Sequence, residues 1–286
     1  MNIRQARNKI KSVTNVRKIT KAMQFVSAIK MKKAQQLALE GRPYEEHLEN
    51  IIKKVISGID TSLSALLSMK NLDIEKKNLV IIIATNKGLC GGFNMNLFRF
   101  IVKNIDFNNS EFVIVGKKAS LLNKFGAKII ADYSAGRSLD NVSALFDFSL
   151  AHFMKDSYGK IILFYNKFIS TLKVEPVKQI LLPLTLDFSL EKKEKETYTG
   201  DYLIEPDPGE IINPLLYSYV EEKIRNAIIQ TEAGEHSSRM IAMKNATENA
   251  NDVIYNLTML RNKLRQEKIT NELLDMITAK ESVESN

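Results

Sequence analysis

The C-terminal end of the chain carries the strongest constraint on the fold. The last proline is Pro214 and the last glycine is Gly234, and beyond them Met243, Ala246, Ala250, Val253, Leu257, Leu260 and Leu264 recur at alternating steps of three and four. A seven-residue repeat held over three heptads marks a helix that supercoils against a partner. A helix of roughly 70 residues would run about 105 Å at 1.5 Å per residue, far beyond the ~11 residues usual in globular proteins. A domain of this size cannot bury so long a stripe, so the helix needs an equally long partner. Ala246 and Ala250 allow that partner's backbone to come close and keep the rod slim.

The other end supplies the partner. From Asn2 to Ile56 apolar residues recur at steps of three and four: Ile3, Ala6, Ile10, Val13, Val16, Ile19, Met23, Val26 and Ile29. After Gly41–Arg42–Pro43 the stripe resumes at Leu48, Ile51, Val55 and Ile59. Pro43 removes a backbone hydrogen bond, which predicts a kink or short break and not the end of the element. Antiparallel pairing suits two ends joined through a globular middle.

That middle alternates in type. Leu79–Thr85, Glu111–Val115, Lys128–Ala131 and Lys160–Tyr165 read as buried strands, and Asn94–Ile105, Lys117–Phe125 and Asp140–Asp156 as crossover helices. Leu172–Leu182 reads as a more irregular strand pair, and Tyr202–Glu205 as a short final strand before Pro206, Pro208 and Pro214. Strand–helix alternation implies a partly parallel sheet covered by helices. The predicted fold class is therefore α/β: a long antiparallel coiled coil of the terminal helices (1–60 and 209–286) plus a central Rossmann-like α/β domain (72–206).

Charge is distributed unevenly. The net charge is +8, yet the first 39 residues hold ten basic side chains and no acidic one, the first carboxylate being Glu40, so the remaining 247 residues sum to −2. Such a block calls for an acidic partner: nucleic acid, an anionic membrane or an acidic protein surface. A transit peptide is also basic and acid-poor, but here the apolar pattern continues past residue 50 without a cleavage-like break. Nucleic-acid binding would want interleaved aromatics, and Phe25 stands alone in the segment. The only cysteine, Cys90, excludes an internal disulfide, and His47, His152 and His236 lie far apart with no ligand spacing beside them. No apolar run approaches the ~18–20 residues of a membrane span.

One loop invites a ligand. Asn86–Lys87–Gly88–Leu89–Cys90–Gly91–Gly92 follows a strand and opens a helix, where a dinucleotide or phosphate loop would sit. Its glycines give G-x-x-G-G, which is not G-x-G-x-x-G, and no Gly-Lys-Ser/Thr follows. Glycines here serve turn geometry or close packing, and Cys90 has no nearby histidine to activate it. A Rossmann-like enzyme with helical arms and a basic coiled-coil adaptor remain the competing classes on these residues alone.

Three segments carry a resemblance: I-K-S-V-T-N-V-R-K-I-T-K-A-M-Q-F-V-S-A-I-K at Ile10–Lys30, G-L-C-G-G-F-N at Gly88–Asn94, and Arg239–Glu272, which begins R-M-I-A-M-K-N-A-T-E-N-A and ends R-Q-E-K-I-T-N-E. In kind, order and position they resemble the gamma subunit of F-type ATP synthase, and the similarity spans essentially the whole chain. The resemblance implies a non-catalytic central stalk without cofactor, catalytic residue or metal. Its partners would be a ring of three alpha and three beta subunits, the epsilon subunit and the c-subunit ring, and it would lie peripherally on the cytoplasmic face of the plasma membrane. It also implies residue roles. Arg265, Gln266 and Thr270 would form a polar catch with a beta-subunit loop. Met23 would face the acidic lever of beta, and Tyr202 and Glu205 would rest on the c ring. Two departures stand out. Asn86–Lys87 replaces the usual Asp-Arg or Asp-Lys pair, and the C-terminal tip Thr278–Asn286 is polar where the family's is small and apolar. No bearing role is carried to that tip, because charged groups sit poorly in an apolar bearing.

Overall fold

The computed structural model describes residues 1–57, 64–67, 76–184 and 207–284. Among the described residues, four α-helices and five strands follow one another as α1 (Ile3–Ser57), β1 (Asn78–Ile83), α2 (Phe93–Asn104), β2 (Ser110–Val115), β3 (Lys128–Asp132), α3 (Val142–Met154), β4 (Lys160–Ser170), β5 (Lys173–Leu182) and α4 (Pro208–Glu284). Two short 3-10 helices, Lys117–Phe125 and Ser138–Asn141, complete the set. The terminal helices are thus long and the centre is mixed α/β, as predicted. The chain divides into two compact units: residues 1–28 with 239–286, and residues 29–238. Among the described residues no helix is long and apolar enough to cross a membrane.

The larger unit is built on one sheet in the order β3-β2-β1-β4-β5. Its first four strands are parallel, and β5 returns antiparallel to β4. Successive side chains of a strand point to opposite faces, and the strands divide accordingly. Leu79, Ile81, Ile83, Val113, Val115, Ile161 and Leu163 face α3 (Val142, Leu145, Phe153), the end of α1 (Leu48, Ile52, Val55) and the start of α4 (Ile212, Leu216, Val220, Ile224). Val80, Ile82, Phe112, Ile114, Ile162 and Phe164 face α2 (Leu97, Phe98, Ile101) and the 3-10 residues Ala119 and Leu122. Because both faces are covered, a central strand must be apolar throughout, which is why β1 reads N-L-V-I-I-I.

Glu111 ties the strand starts together. Its carboxylate accepts hydrogen bonds from Lys128 Nζ at 2.7 Å, from the Tyr158 hydroxyl at 2.6 Å and from Lys77 Nζ at 3.4 Å. The Lys128 and Tyr158 bonds, outweighing burial, hold its pKa down at about 2. At the other end of the strands, Gly116 sits at φ +98°, and a Cβ there would lie 2.1 Å from the carbonyl oxygen of Ala84. No other residue fits that crossing of β2 past β1.

Three local expectations change. The helix predicted at Lys117–Phe125 is a 3-10 helix, and Asp140–Asp156 divides into a 3-10 turn and α3. The irregular pair expected at Leu172–Leu182 is one ten-residue strand, β5, against a β4 that extends to Ser170. At Pro43 α1 continues, with the ring on its exposed side. Carbonyls facing water tolerate a lost intrahelical bond there. The predicted strand Tyr202–Glu205 lies outside the described residues.

Candidate functional site

The smaller unit pairs the first half of α1 with the second half of α4. Arg17 Nη1 donates to Asn251 Oδ1 at 3.1 Å, and the hydroxyls of Thr20 and Thr247 lie 2.8 Å apart. Position rises on one helix as it falls on the other, so the pair is antiparallel. Asn2 caps α1 with Gln5: Gln5 N–H donates to Asn2 Oδ1 and Asn2 N–H to Gln5 Oε1, which satisfies free donors of the first turn.

The seam is not the one the apolar pattern predicted. On α1 the inward positions are Ile3, Ala6, Ile10, Val13, Arg17, Thr20, Gln24 and Ser27, a strict heptad, whereas Val16, Ile19, Val26 and Ile29 are exposed by 53%, 60%, 53% and 70%. On α4 Met243, Ala250, Leu257 and Leu264 do turn inward. The alternate positions shift by one residue, so that Ile254 and Arg261 replace Val253 and Leu260, which are exposed. The cause is geometric. Tracing only apolar residues along α1 takes too many three-residue steps, and each one rotates the traced line away from a stripe that averages 3.5. The missed seam residues could have been found by holding the seven-residue period from Ile3 and Ala6 and accepting whatever stood there.

Branched aliphatics displaced from the seam form a face of their own. Val16, Ile19, Met23 and Val26 line up at steps of three, four and three, and exposed Lys30 and Lys33 continue the same line at further steps of four and three. Met23 is half-buried at the margin of the seam. Apolar side chains clustered on a surface mark an interaction face. A second such face lies on α4, where Ile269, Leu273, Leu274, Met276 and Ile277 are all exposed.

Arg265, Gln266 and Thr270 are exposed on α4. Arg265 lines a cleft of about 1030 Å³ whose other walls include Asn2, Arg4, Arg7, Arg261 and Lys268 and the carboxylates Glu267, Glu272 and Asp275. Gln266 and Thr270 are not among its walls. Met23 lies elsewhere along the pair, near Thr20 and Thr247, so the predicted beta-contact residues make two stations and not one site. Tyr202 and Glu205 fall outside the described residues.

The glycine loop after β1 is tied to the scaffold. Asn94 Nδ2 donates to Thr85 Oγ1 at 2.8 Å and to Cys90 Sγ at 3.5 Å, its Oδ1 accepts from Thr85 N–H at 3.3 Å, and Thr85 Oγ1 donates to the Lys87 carbonyl at 2.7 Å. In a sheet of this order a nucleotide would enter the crevice between β1 and β4. Here α4 passes beside it, with Gly234 against the Phe93 ring and Val174.

The comparisons with known proteins point the same way as this geometry. A family model described as ATP synthase matches residues 2–283. The ATP synthase gamma chain of Akkermansia muciniphila is 35% identical over 293 residues, covering 99% of both chains. That of Variovorax paradoxus is 39% identical over 285 residues, covering 96% of both. Among solved structures, a chain of the Euglena gracilis mitochondrial ATP synthase, in a structure of its OSCP, F1 and c-ring, shares the fold with a TM-score of 0.66. It is 19% identical, over 98% of this chain and 94% of that one. A chain of the Tetrahymena thermophila central stalk and c-ring gives a TM-score of 0.56 at 22% identity, over 80% of this chain and 99% of that one. With an antiparallel pair of terminal helices in one unit, a five-stranded α/β sheet in the other, and full-length likeness at 35% identity and above, the chain belongs to the gamma-chain family of ATP synthase.

Proposed function

We propose that the chain is the rotor shaft of an F-type ATP synthase and does no bond chemistry itself. It couples proton flow through a membrane ring of c subunits to ATP synthesis or hydrolysis on three beta subunits. The observation that carries this is the apolar line on α1, Val16, Ile19 and Val26, continued by Lys30 and Lys33, which the described residues leave exposed while the seam side of the helix pairs with α4. A helix pair with one seam inward and a second apolar face outward is suited to work inside a sleeve of other subunits.

Turning such a shaft presents different faces to each beta subunit in succession. The lysines that continue the apolar line attract an acidic surface at long range without holding one fixed geometry, which suits a contact that must slide. Met23 sits on that face and meets the acidic lever of beta. Arg265, Gln266 and Thr270 make a separate polar catch, their exposure leaving their donors and acceptors to a partner. Tyr202 and Glu205 rest on the c ring, and the epsilon subunit binds the α/β domain. The chain is held peripherally at the cytoplasmic face of the plasma membrane by these partners.

Co-expression with cognate alpha and beta subunits tests the proposal. One copy of this chain in an assembly with three alpha and three beta, hydrolysing ATP, is the expected result. A chain that stays alone while alpha and beta assemble without it would sink the shaft assignment. In the complete enzyme, with its c ring in lipid vesicles, Met23→Lys should lower the protons moved per ATP, and an unchanged ratio would remove Met23 from the lever contact.

A further inference from the structure

The G-L-C-G-G-F-N loop delivers one side chain to α4. Phe93, its sixth residue and the first of α2, is 5% exposed, and its carbonyl accepts a hydrogen bond from Asn166 Nδ2 at 3.3 Å. At the ring edge α4 carries Gly234, where a Cβ would lie 3.0 Å from Phe93 Cε2 and 3.0 Å from Val174 Cγ1. A glycine inside a helix costs about 1 kcal/mol against alanine. Here it opens a notch into which Phe93 and Val174 fit.

Two polar bonds flank the notch. One turn before it, Gln230 Oε1 accepts from the Phe168 N–H at 3.2 Å. One turn after it, the fully buried Ser237 hydroxyl donates to the Thr171 carbonyl. Residues 230, 234 and 237 are spaced by four and three, so they share one face of α4. Their partners span the end of the β4–β5 hairpin: Phe168 on β4, Thr171 at the turn and Val174 on β5. This end of the hairpin reaches past the rest of the sheet, since β1 pairs with β4 only as far as Phe164 while β5 pairs with it to Ser170.

We propose that this clasp is the joint through which the α/β domain turns α4, with Gln230, Gly234 and Ser237 as its positioning residues. The hydrophobic effect is non-directional, so an apolar contact resists rolling less than a directional bond does. A notch seated on a ring fixes position along the axis, and two bonds to hairpin backbone resist rolling about it. The joint stays closed as the shaft rotates. This rests on the proposed rotor function and assigns a role to the glycine loop within it.

The experiment uses the complete enzyme in lipid vesicles, with ATP hydrolysis and ATP-driven proton uptake measured together. The unaltered chain must pump; failure there would fell the rotor function itself and the joint with it. Given pumping, Gln230→Ala with Ser237→Ala should leave hydrolysis within about twofold while protons moved per ATP fall severalfold. A merely destabilising change would lower both in proportion to the enzyme lost, leaving the ratio unmoved, and that outcome overturns the joint. A second variant combines Cys90→Ala, Val174→Cys and Gly234→Cys, which brings two thiols within bridging reach. Because the added Cβ crowds the notch, the reduced form should pump less per ATP than the unaltered chain. The oxidised form, tied covalently at the same place, should pump at least as well as the reduced one, since the joint never opens. Pumping that stops on oxidation and returns on reduction would show that α4 moves against the hairpin in each turn, and the joint as proposed would be wrong.

Discussion

In the α/β unit the central strand β1 runs Leu-Val-Ile-Ile-Ile with every one of those side chains at most 1% exposed. In the helical unit the inner line on α1 is apolar only as far as Val13 and continues as Arg17, Thr20, Gln24 and Ser27, while Val16, Ile19 and Val26 face out. One unit keeps its driving force inside, and the other displays it. Burying a branched aliphatic stabilises by about 1.5–3 kcal/mol, so the sheet unit contains what it needs to fold. The helical unit withholds that stabilisation until a partner covers it. The contrast is one of exposed apolar surface on the helices against contained apolar surface in the sheet.

Four changes test that contrast, the largest first. Phe112 is fully buried between α2 and the sheet, with its ring centroid 5.1 Å from that of Phe107. Phe112→Ala should cost about 3–5 kcal/mol in urea unfolding, through lost burial and the cavity left behind. A cost under about 1 kcal/mol would mean the sheet unit is not the rigid part.

Glu111 comes next and depends on pH. Its folded pKa of about 2 lies below the ordinary 4.5, so the stabilisation it gives is complete above pH 4.5 and disappears as pH falls towards 2. Glu111→Gln should therefore cost about 1–2 kcal/mol near neutral pH. The gap to the unaltered chain should close between pH 4.5 and 2. A gap that persists at pH 2 would show that the carboxylate's charge is not what joins Lys128, Tyr158 and Lys77.

The smaller unit should respond in the opposite sense. The hydroxyls of Thr20 and Thr247 lie 2.8 Å apart across the seam, and each also lies within reach of a carbonyl of its own helix, that of Arg17 or Met243. With one proton apiece, one donates across the seam and the other to its own helix. Replacing both by valine removes a matched pair of hydroxyls and leaves the shape unchanged, which is commonly neutral or favourable. Thr20→Val with Thr247→Val should raise stability by about 0.5–1 kcal/mol. A loss of that size would mean that the polar layer holds the helices together and does not merely set their register.

The legibility of the sequence follows the same division. Four parallel strands and the extents of α1, α2 and α4 could be read because burial on both faces leaves uninterrupted apolar runs, and because long helices repeat their pattern. The 3-10 form of Lys117–Phe125 was illegible, since eclipsed and α-helical turns share a period over so short a stretch. The seam of α1 was half legible. Ile3, Ala6, Ile10 and Val13 are apolar and inward, but from Arg17 onward the seam turns polar and the apolar signal passes to another face. Apolarity predicts burial by something, and in a subunit made for partners that something is partly absent from its own chain. The clasp on α4 was hidden differently. Gly234 was visible as the last glycine, but only the fold brings it to Phe93 and Val174.

The smallest expected effect on the isolated chain is the most informative. Val16, Ile19 and Val26 are each more than half exposed, and serine has nearly the helix propensity of valine and isoleucine. Val16→Ser, Ile19→Ser and Val26→Ser together should therefore leave unfolding within about 0.5 kcal/mol per site. If the face is a partner surface, the same triple variant loses the burial that partners would have given it. Binding to the alpha and beta ring, measured at fixed salt, should weaken about tenfold or more. A variant as stable as the parent and equally well bound would leave those side chains without a partner, and the outward face of α1 would then be only exposed surface. A variant that unfolds readily on its own would place them in the seam after all and erase the distinction between the two units.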